Sequence, residues 1–312
     1  MSHETLYRLI QEYDTITIFG HVFPDGDCYG SQIGLKEALL ATFPTKKVYA
    51  LGSGYPAFHA LLGSMDLVDD QTVKRSLALV LDVADTGRIE DQRFLQAALV
   101  FKIDHHIPTY NFGQHQWIDT TTLAVAEMIA RFVKLHHLKI NHRGASALAL
   151  GMITDSNRFQ FGHIRAETFN LMGTLLTHGA DLKGLYRVLY DKSRNEFAFE
   201  RLVHNQYVIT EAGFIYCHIT RPDLLRFGLS AVSANLKVNL LAHVESCPVW
   251  AFFTEDEGLI RCEIRSDGLD IQPIALAHNG GGHQQASGFR LEAATQIPDV
   301  VQEIDQLIKE KR

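Results

Sequence analysis

The first two thirds of the chain alternate short aliphatic or β-branched runs with longer segments whose apolar residues recur at helical spacing. The strand-like runs cover residues 15–19, 47–50, 77–82 and 99–104. The helix-like segments cover residues 31–42, 56–62, 91–97, 123–136, 144–153, 166–178 and 182–190. Such alternation is typical of a parallel sheet covered by helices, and near-continuous apolar strands fit a sheet buried on both faces. We therefore predict an N-terminal α/β domain, residues 1–190, with a parallel sheet flanked by helices.

A polar and charged stretch at 191–205 interrupts this pattern and is predicted to be a partly helical connector. The segments beyond it comprise strand-like 207–210, 214–219, 249–254 and 259–264, and helical 232–244 and 297–309. This mixture predicts a smaller C-terminal α/β domain, residues 206–312, with a mixed sheet. We expect a cleft between the two domains and hinge motion about the connector.

Composition narrows the class of protein. With 312 residues, 46% of them hydrophobic and 21% charged, the chain can bury a large core, which excludes general disorder. A net charge of −7 excludes a broad basic surface that coats duplex DNA, while a short phosphorylated ligand remains compatible. The four cysteines form no CxxC pair, which predicts a reducing, cytoplasmic setting. The N-terminus is acidic and no long apolar run follows, so we expect that the chain is neither exported nor attached to a membrane.

Side chains that bind metals follow three of the predicted strands. In chain order these clusters are His21, Asp25 and Asp27, then Asp82 and Asp85, then Asp104, His105 and His106. In parallel α/β sheets the ligand site lies beyond the carboxyl ends of the strands. Each cluster alone could be a turn or a solvated strand end, but three at one sheet edge favour a metal site. Imidazole and carboxylate without thiolate suit Mn²⁺ better than Mg²⁺ and do not single out zinc or iron.

Two weaker motifs lie further along the chain. Asp155 follows an apolar helical run in the segment TDS, which alone could simply be a helix end. The segment NGGGHQQASG in the second domain offers backbone amides and the side chains of His283 and Ser287, with Arg265 nearby in RSDG. Glycine-rich loops more often mark tight turns, but beside a metal site this loop is predicted to hold the substrate's second end.

The ordered motifs HVFPDGD, LDVAD, IDHH, TDS and GGGHQQASG resemble those of the DHH phosphoesterase family with its DHH-associated C-terminal domain. The resemblance spans residues 21–288, and within the family the chain looks most like the branch of nano-RNases. These oligoribonucleases act on very short RNAs and on 3′-phosphoadenosine 5′-phosphate (pAp). Two departures are Cys28, where family members commonly have alanine, and the Ser156–Asn157 pair after TD.

The resemblance implies a role for each motif residue. His21 and Asp25 would hold one manganese ion, Asp82 would bridge two ions, and the remaining ligands of the second ion would be Asp27, His105 and Asp155. His106 would face the substrate phosphate and Asp104 would orient the site, so that the catalytic set is Asp82, Asp104 and His106. The substrate-binding residues would be Arg88, Arg265, Gly281, Gly282, His283 and Ser287.

The predicted function is therefore a Mn²⁺-dependent phosphoesterase that hydrolyses short oligoribonucleotides and pAp with a two-metal-activated hydroxide, Mg²⁺ being the second choice of ion. The alternatives are a phosphodiesterase of pApA or cyclic di-AMP, an exopolyphosphatase, and a nucleotide-binding module without catalysis. The complete set of metal ligands argues against a nucleotide-binding module without catalysis. A nucleotide-sized cleft argues against an exopolyphosphatase. The expected partners are short RNA oligonucleotides or small nucleotides such as pAp and pApA, rather than duplex DNA or membranes. A homodimer is the default expectation for a soluble enzyme.

Overall fold

The computed structural model describes residues 2–107, 111–160 and 162–311. It divides into two compact units, Met1–Asp191 and Lys192–Arg312. The five strands of the first unit are β1 Thr15–Phe19, β2 Lys47–Ala50, β3 Leu77–Leu81, β4 Leu99–Asp104 and β5 His115–Ile118. Its helices are α1 Ser2–Glu12, α2 Gly26–Thr42, α3 His59–Leu62, α4 Asp70–Lys74, α5 Val125–Leu135, α6 His142–Asp155, α7 Ala166–Thr177 and α8 Leu182–Tyr190, with 3-10 turns at Pro56–Phe58, Thr86–Arg88 and Gln92–Gln96.

The first sheet confirms the predicted parallel α/β architecture. Its order is β2-β1-β3-β4-β5, and every pairing is parallel. All five residues of β3 are buried, as expected for an apolar strand between two layers of helices. The chain places β2 on one side of β1 and β3 on the other, so the strand order reverses there. The carboxyl ends of β1 and β3 flank such a switch point, where a crevice forms in open α/β sheets.

Several elements of the first unit differ from the sequence prediction. Helix α2 begins at Gly26 rather than at residue 31, because the Asp25 carboxylate accepts hydrogen bonds from the backbone N–H groups of Asp27 and Cys28 and caps the helix earlier. Asp27 therefore lies in the first helical turn and not in a loop. Strand β5 was not predicted, because its sequence HQWI has no apolar run.

The second unit contains a six-stranded mixed sheet. Its elements are α9 Arg194–Gln206, β6 Val208–Ile209, β7 Phe214–Ile219, α10 Arg221–Phe227, α11 Ala231–Asn235, β8 Val249–Asp256, β9 Leu259–Ser266, α12 Gln272–Ala277, β10 Gly281–His283, β11 Ala286–Leu291 and α13 Ile297–Lys311, with 3-10 turns at Val238–Leu241 and Ala294–Gln296. The sheet order is β10-β11-β9-β8-β7-β6, with β7 and β8 parallel and the other pairs antiparallel. This confirms the predicted smaller α/β domain with a mixed sheet.

The stretch predicted as a connector is mostly helix α9. A capping box between Ser193 and Glu196 starts this helix, and Phe199 and Val203 are buried in the core of the second unit. The predicted helix at 232–244 is instead short α11 followed by a 3-10 turn. Within the described ranges, no helix is both long and apolar enough to cross a membrane.

Candidate metal centre

Asp82 lies at the centre of the candidate site, immediately after β3. Its Oδ2 is 3.6 Å from Nε2 of His21, and its Oδ1 is 3.6 Å from Nε2 of His105 and 3.5 Å from Nδ1 of His106. The backbone of Asp82 has a φ of 59°, a left-handed conformation that aspartate tolerates better than most residues. Its N–H donates to the carbonyl of Ile103 on the adjacent strand, at 3.0 Å. The switch point thus brings residues after β1, β3 and β4 to one carboxylate.

Two of these three imidazoles, His21 and His105, are held in defined orientations by backbone carbonyls. His21 has its Nδ1 2.9 Å from the carbonyl of Val22, and His105 has its Nδ1 3.4 Å from the carbonyl of Thr122. Each backbone oxygen accepts the Nδ1 proton, so Nε2 is the ring atom that faces Asp82 and would bind a cation. This is the usual arrangement of metal-binding histidines, whose second nitrogen is fixed by a neighbouring acceptor.

Four carboxylates crowd around these imidazoles. Burial, together with repulsion from Asp82, Asp155 and Asp25, raises the pKa of Asp27 well above its usual value. Burial raises the pKa of Asp155 to about 6. Attraction to His105 opposes this rise, and repulsion from Asp82 and Asp25 adds to it. A buried cluster of like charges is unfavourable unless cations or protons neutralise it.

The donor set fits divalent cations. Oδ1 of Asp82 is buried and has no hydrogen-bond partner among the described residues, which is costly for a carboxylate oxygen that faces no cation. Ligand atoms of Asp27, His105 and Asp155 lie within 4.8 Å of one another, as do those of a second group, Asp82, His105 and His106. The Oδ2 of Asp25 lies 3.8 Å from Nε2 of His21, whose ring also faces Asp82. All six residues predicted from the sequence as metal ligands are therefore neighbours.

A network behind these ligands was not predicted from the sequence. Asp27 is buried, and its two carboxylate oxygens accept the N–H groups of Val125 and Ala126, at 2.7 and 2.8 Å. The buried Glu127 accepts the N–H of Leu123 at 2.9 Å and the hydroxyl of Thr168 at 2.7 Å. The segment 122–126 thus orients both Asp27 and His105, and Glu127 fixes that segment. No local pattern signals this role, because Thr168 is 41 residues distant in sequence.

A second buried network lies behind His106. The carboxylate of Asp104 accepts the Nδ1 proton of His106 at 2.8 Å and pairs with the ammonium of Lys102 at 3.0 Å. Lys102 is completely buried, with its Nζ 3.3 Å from the carbonyl of Ala84 and 4.7 Å from the ring centre of Phe112. The hydrogen bond to Asp104 raises the pKa of His106 above its usual value. Asp104 is placed to orient His106, and Lys102 is the partner that the sequence analysis missed.

Two neighbouring residues have structural roles. Cys28 is buried beside His21 and Asp82, and its sulfur accepts the backbone N–H of His21 at 3.3 Å. Burial raises the pKa of this thiol to about 11, so it is a neutral packed group, as expected for a small core residue. Asp85 caps the 3-10 turn Thr86–Arg88 by accepting the N–H of Gly87. Arg88 is exposed at the end of that turn, and its carbonyl accepts the N–H of Val22 at 2.8 Å.

The glycine-rich segment of the second unit is an edge strand rather than the predicted loop. In the β10–β11 hairpin, Gly282 lies opposite Ser287, and the buried Ser287 hydroxyl donates to the carbonyl of His283 at 2.8 Å. The hydroxyl of Ser287 is therefore engaged within the hairpin. Arg265 on β9 pairs with Glu263 at 2.7 Å. Glycines have low strand propensity, which is why the sequence pattern did not predict β10.

The chain matches two protein families over most of its length. Residues 15–152 match the N-terminal domain of the DHH family, and residues 214–310 match the DHHA1 domain. The bifunctional oligoribonuclease and PAP phosphatase NrnA of Bacillus subtilis is 34% identical over 98% of this chain and 98% of its own length. The probable enzyme of the same name from Streptococcus mutans is 31% identical over 98% of this chain and 99% of its own.

A solved structure shares the whole fold. The crystal structure of an exopolyphosphatase-related protein from Bacteroides fragilis has a TM-score of 0.87 with this chain. The structural match covers 99% of this chain and 96% of the Bacteroides chain, at 22% sequence identity. At that identity the likeness concerns the fold.

Proposed function

This chain belongs to the DHH family, and from that premise we propose that it hydrolyses short oligoribonucleotides and pAp with the help of two Mn²⁺ ions. It is a hydrolase of phosphate-ester bonds. The names of its relatives in Bacillus and Streptococcus support the two substrates, because the chain matches both proteins over nearly their full lengths. The donor chemistry supports manganese, since imidazole nitrogen and carboxylate oxygen without thiolate suit this ion.

The observation that carries the proposal is the environment of Asp82. Its carboxylate lies within 3.6 Å of three imidazoles and keeps one buried oxygen without a hydrogen-bond partner. Asp25 and His21 would complete one ion's ligands on one side of it. The ligands of the other ion would be Asp27, His105 and Asp155. Bound divalent cations would neutralise charge on the phosphoryl oxygens and lower the pKa of the attacking water.

His106 is the residue that we assign to the substrate phosphate. Because Asp104 accepts its Nδ1 proton, the second nitrogen, Nε2, is the one left for the ligand. The side chain is 47% exposed, more than either of the other two imidazoles around Asp82. A protonated His106 can donate a hydrogen bond to a phosphoryl oxygen or a proton to the leaving oxygen. The buried Lys102–Asp104 pair holds the ring in place for this task.

The test of this function is turnover of pAp and of a 5′-phosphorylated RNA trimer by the purified full chain. We expect release of inorganic phosphate from pAp and of mononucleotides from the trimer with Mn²⁺, weaker release with Mg²⁺, and none after chelation by EDTA. The dinucleotide pApA, cyclic di-AMP and long polyphosphate serve as competing substrates. Faster turnover of any of these three than of pAp and the trimer would contradict the proposed substrate class.

We assign the second unit to substrate binding, through Gly281, Gly282, His283, Ser287 and Arg265. The backbone of β10 is at the edge of its sheet, and the N–H groups of an edge strand that face away from its partner are open to a ligand. His283 is exposed. Arg265 and Ser287, by contrast, are already paired within the unit, so they would act by shaping the hairpin or by exchanging partners when a ligand binds.

Two adjacent glycines provide a matched test of this assignment. A Cβ on Gly282, whose φ is +139°, would meet the backbone of Ala286 and Ser287 at 2.5 and 2.6 Å, whereas a Cβ on Gly281 would meet nothing within 4 Å. We expect Gly282→Ala to destabilise the hairpin by about 1–3 kcal/mol through backbone strain. Gly281→Ala should keep the wild-type melting temperature but raise the KM for pAp, because a methyl group blocks close approach of phosphate to the backbone. An unchanged KM in Gly281→Ala would remove this strand from the binding site.

A further inference from the structure

Phe23 lies in the loop between His21 and Asp25 and has two unusual properties. Its side chain is 92% exposed, which makes it the most exposed aromatic residue in the described part of the chain. Its backbone has a φ of +55°, a left-handed conformation that is an outlier for a bulky side chain. Neither property contributes to folding, because an exposed ring gains no burial energy that could compensate for a strained backbone.

The strain is larger than the φ value alone indicates, because Phe23 precedes a proline. A residue before proline prefers an extended backbone with φ near −120°. The flanking positions hold the loop in its strained form. Val22 is fixed at both backbone groups, since its N–H donates to the carbonyl of Arg88 and its carbonyl accepts from the His21 ring. Asp25 is fixed as the cap of α2. The loop therefore holds the phenyl ring in solvent, two residues from two proposed metal ligands.

We propose that Phe23 is a stacking platform for a base of the nucleotide whose phosphate lies at the metal centre. This inference rests on the proposed function, since it requires a nucleotide substrate. A flat exposed ring stacks on the π-face of any base, so it would bind short RNA without sequence preference. The phosphate would be held by the metal centre itself and the base by the ring. Strained backbone at a position with no packing role is typical of such ligand clamps.

The test compares pAp with ribose 3′,5′-bisphosphate, which carries the same two phosphates and no base. For Phe23→Asn, we expect kcat/KM on pAp to fall about tenfold relative to that on the bisphosphate, at the lower end of the loss for one base–aromatic stack. Phe23→Tyr keeps a ring and should retain the wild-type ratio between the two substrates. Because asparagine tolerates left-handed backbone, Phe23→Asn should also raise the melting temperature, by about 2 °C.

The matched control is Leu95→Asn, which removes another exposed apolar side chain, 70% exposed, close to the amino end of β4 and thus at the opposite edge of the sheet. It should leave the substrate ratio unchanged. Equal losses on both substrates in Phe23→Asn, or no loss on pAp, would overturn the stacking role. A lower melting temperature would show that the ring packs in the fold and would overturn it as well. If the wild-type chain turns over neither pAp nor short RNA, the proposed function itself fails.

Discussion

Replacing Asp82 with asparagine should lower kcat/KM for pAp by a factor on the order of 10³ or more, because it removes a charged ligand shared by both proposed cation sites. Asparagine has the size of aspartate and tolerates the left-handed backbone at φ 59°, so the fold should persist. The substitution also removes one charge from a cluster in which Asp27 and Asp155 repel Asp82. We therefore expect a melting temperature equal to or above that of the wild type in the absence of metal. The measurements are steady-state kinetics on pAp and thermal unfolding in EDTA.

Calorimetric titration with Mn²⁺ separates a lost ligand from a lost fold. Wild type should bind two ions per chain, and Asp82→Asn should lose measurable binding of at least one of them. Asp69→Asn is the matched control, since Asp69 caps α4 through the N–H of Thr72 and asparagine caps a helix equally well. Substantial activity in Asp82→Asn, with both ions still bound, would contradict the bridging role and with it the proposed mechanism.

The clustering of the candidate metal ligands could be predicted from the sequence because it follows from the topology. Parallel strands end at the same edge of a sheet, so motifs directly after β1, β3 and β4 must lie close together. Asp155 is different, because it ends helix α6, and its place in the site came from the family resemblance alone. The boundary of α2 was missed for a local reason. The motif indicates only a metal-ligand role for Asp25, whereas in the structure one of its carboxylate oxygens also caps the helix.

The residues that support Asp27 and His105 could not be predicted, because their partners are distant in the chain. Glu127 in α5 depends on Thr168 in α7, and no spacing rule connects these two positions. The strain at Phe23 is also invisible in the sequence, where a phenylalanine before a proline predicts an extended backbone. Among the supporting residues discussed above, Lys102 has a role that the sequence does indicate. In the strand LVFKID, lysine and Asp104 are two residues apart, so they share a face of an otherwise apolar strand.

Replacing Lys102 with methionine should lower the free energy of unfolding of the first unit by about 3–5 kcal/mol, because it leaves the buried Asp104 carboxylate without its cation. Methionine is close to lysine in shape, so no large cavity accounts for the loss. His106 remains as a partner of Asp104 but is 47% exposed and contacts only one of the two carboxylate oxygens. Burial acts to raise the pKa of Asp104, but His106 and Lys102 together hold it below its usual value, so loss of the ammonium leaves the effect of burial less opposed. Denaturant unfolding of the full chain, followed at both units, measures the change.

The double variant Lys102→Met/Asp104→Asn is the matched test of that explanation. Replacing both members of a buried ion pair with neutral groups of similar shape is often close to neutral, so most of the stability should return. Catalysis by the double variant should stay below that of the wild type. The amide oxygen of the asparagine that replaces Asp104 would orient His106 but would not supply the negative charge that stabilises the protonated ring. A double variant no more stable than Lys102→Met would attribute the loss to packing around the lysine stem. Recovery of stability without recovery of kcat would instead separate the two tasks of Asp104, which neutralises Lys102 in the core and orients His106 at the site.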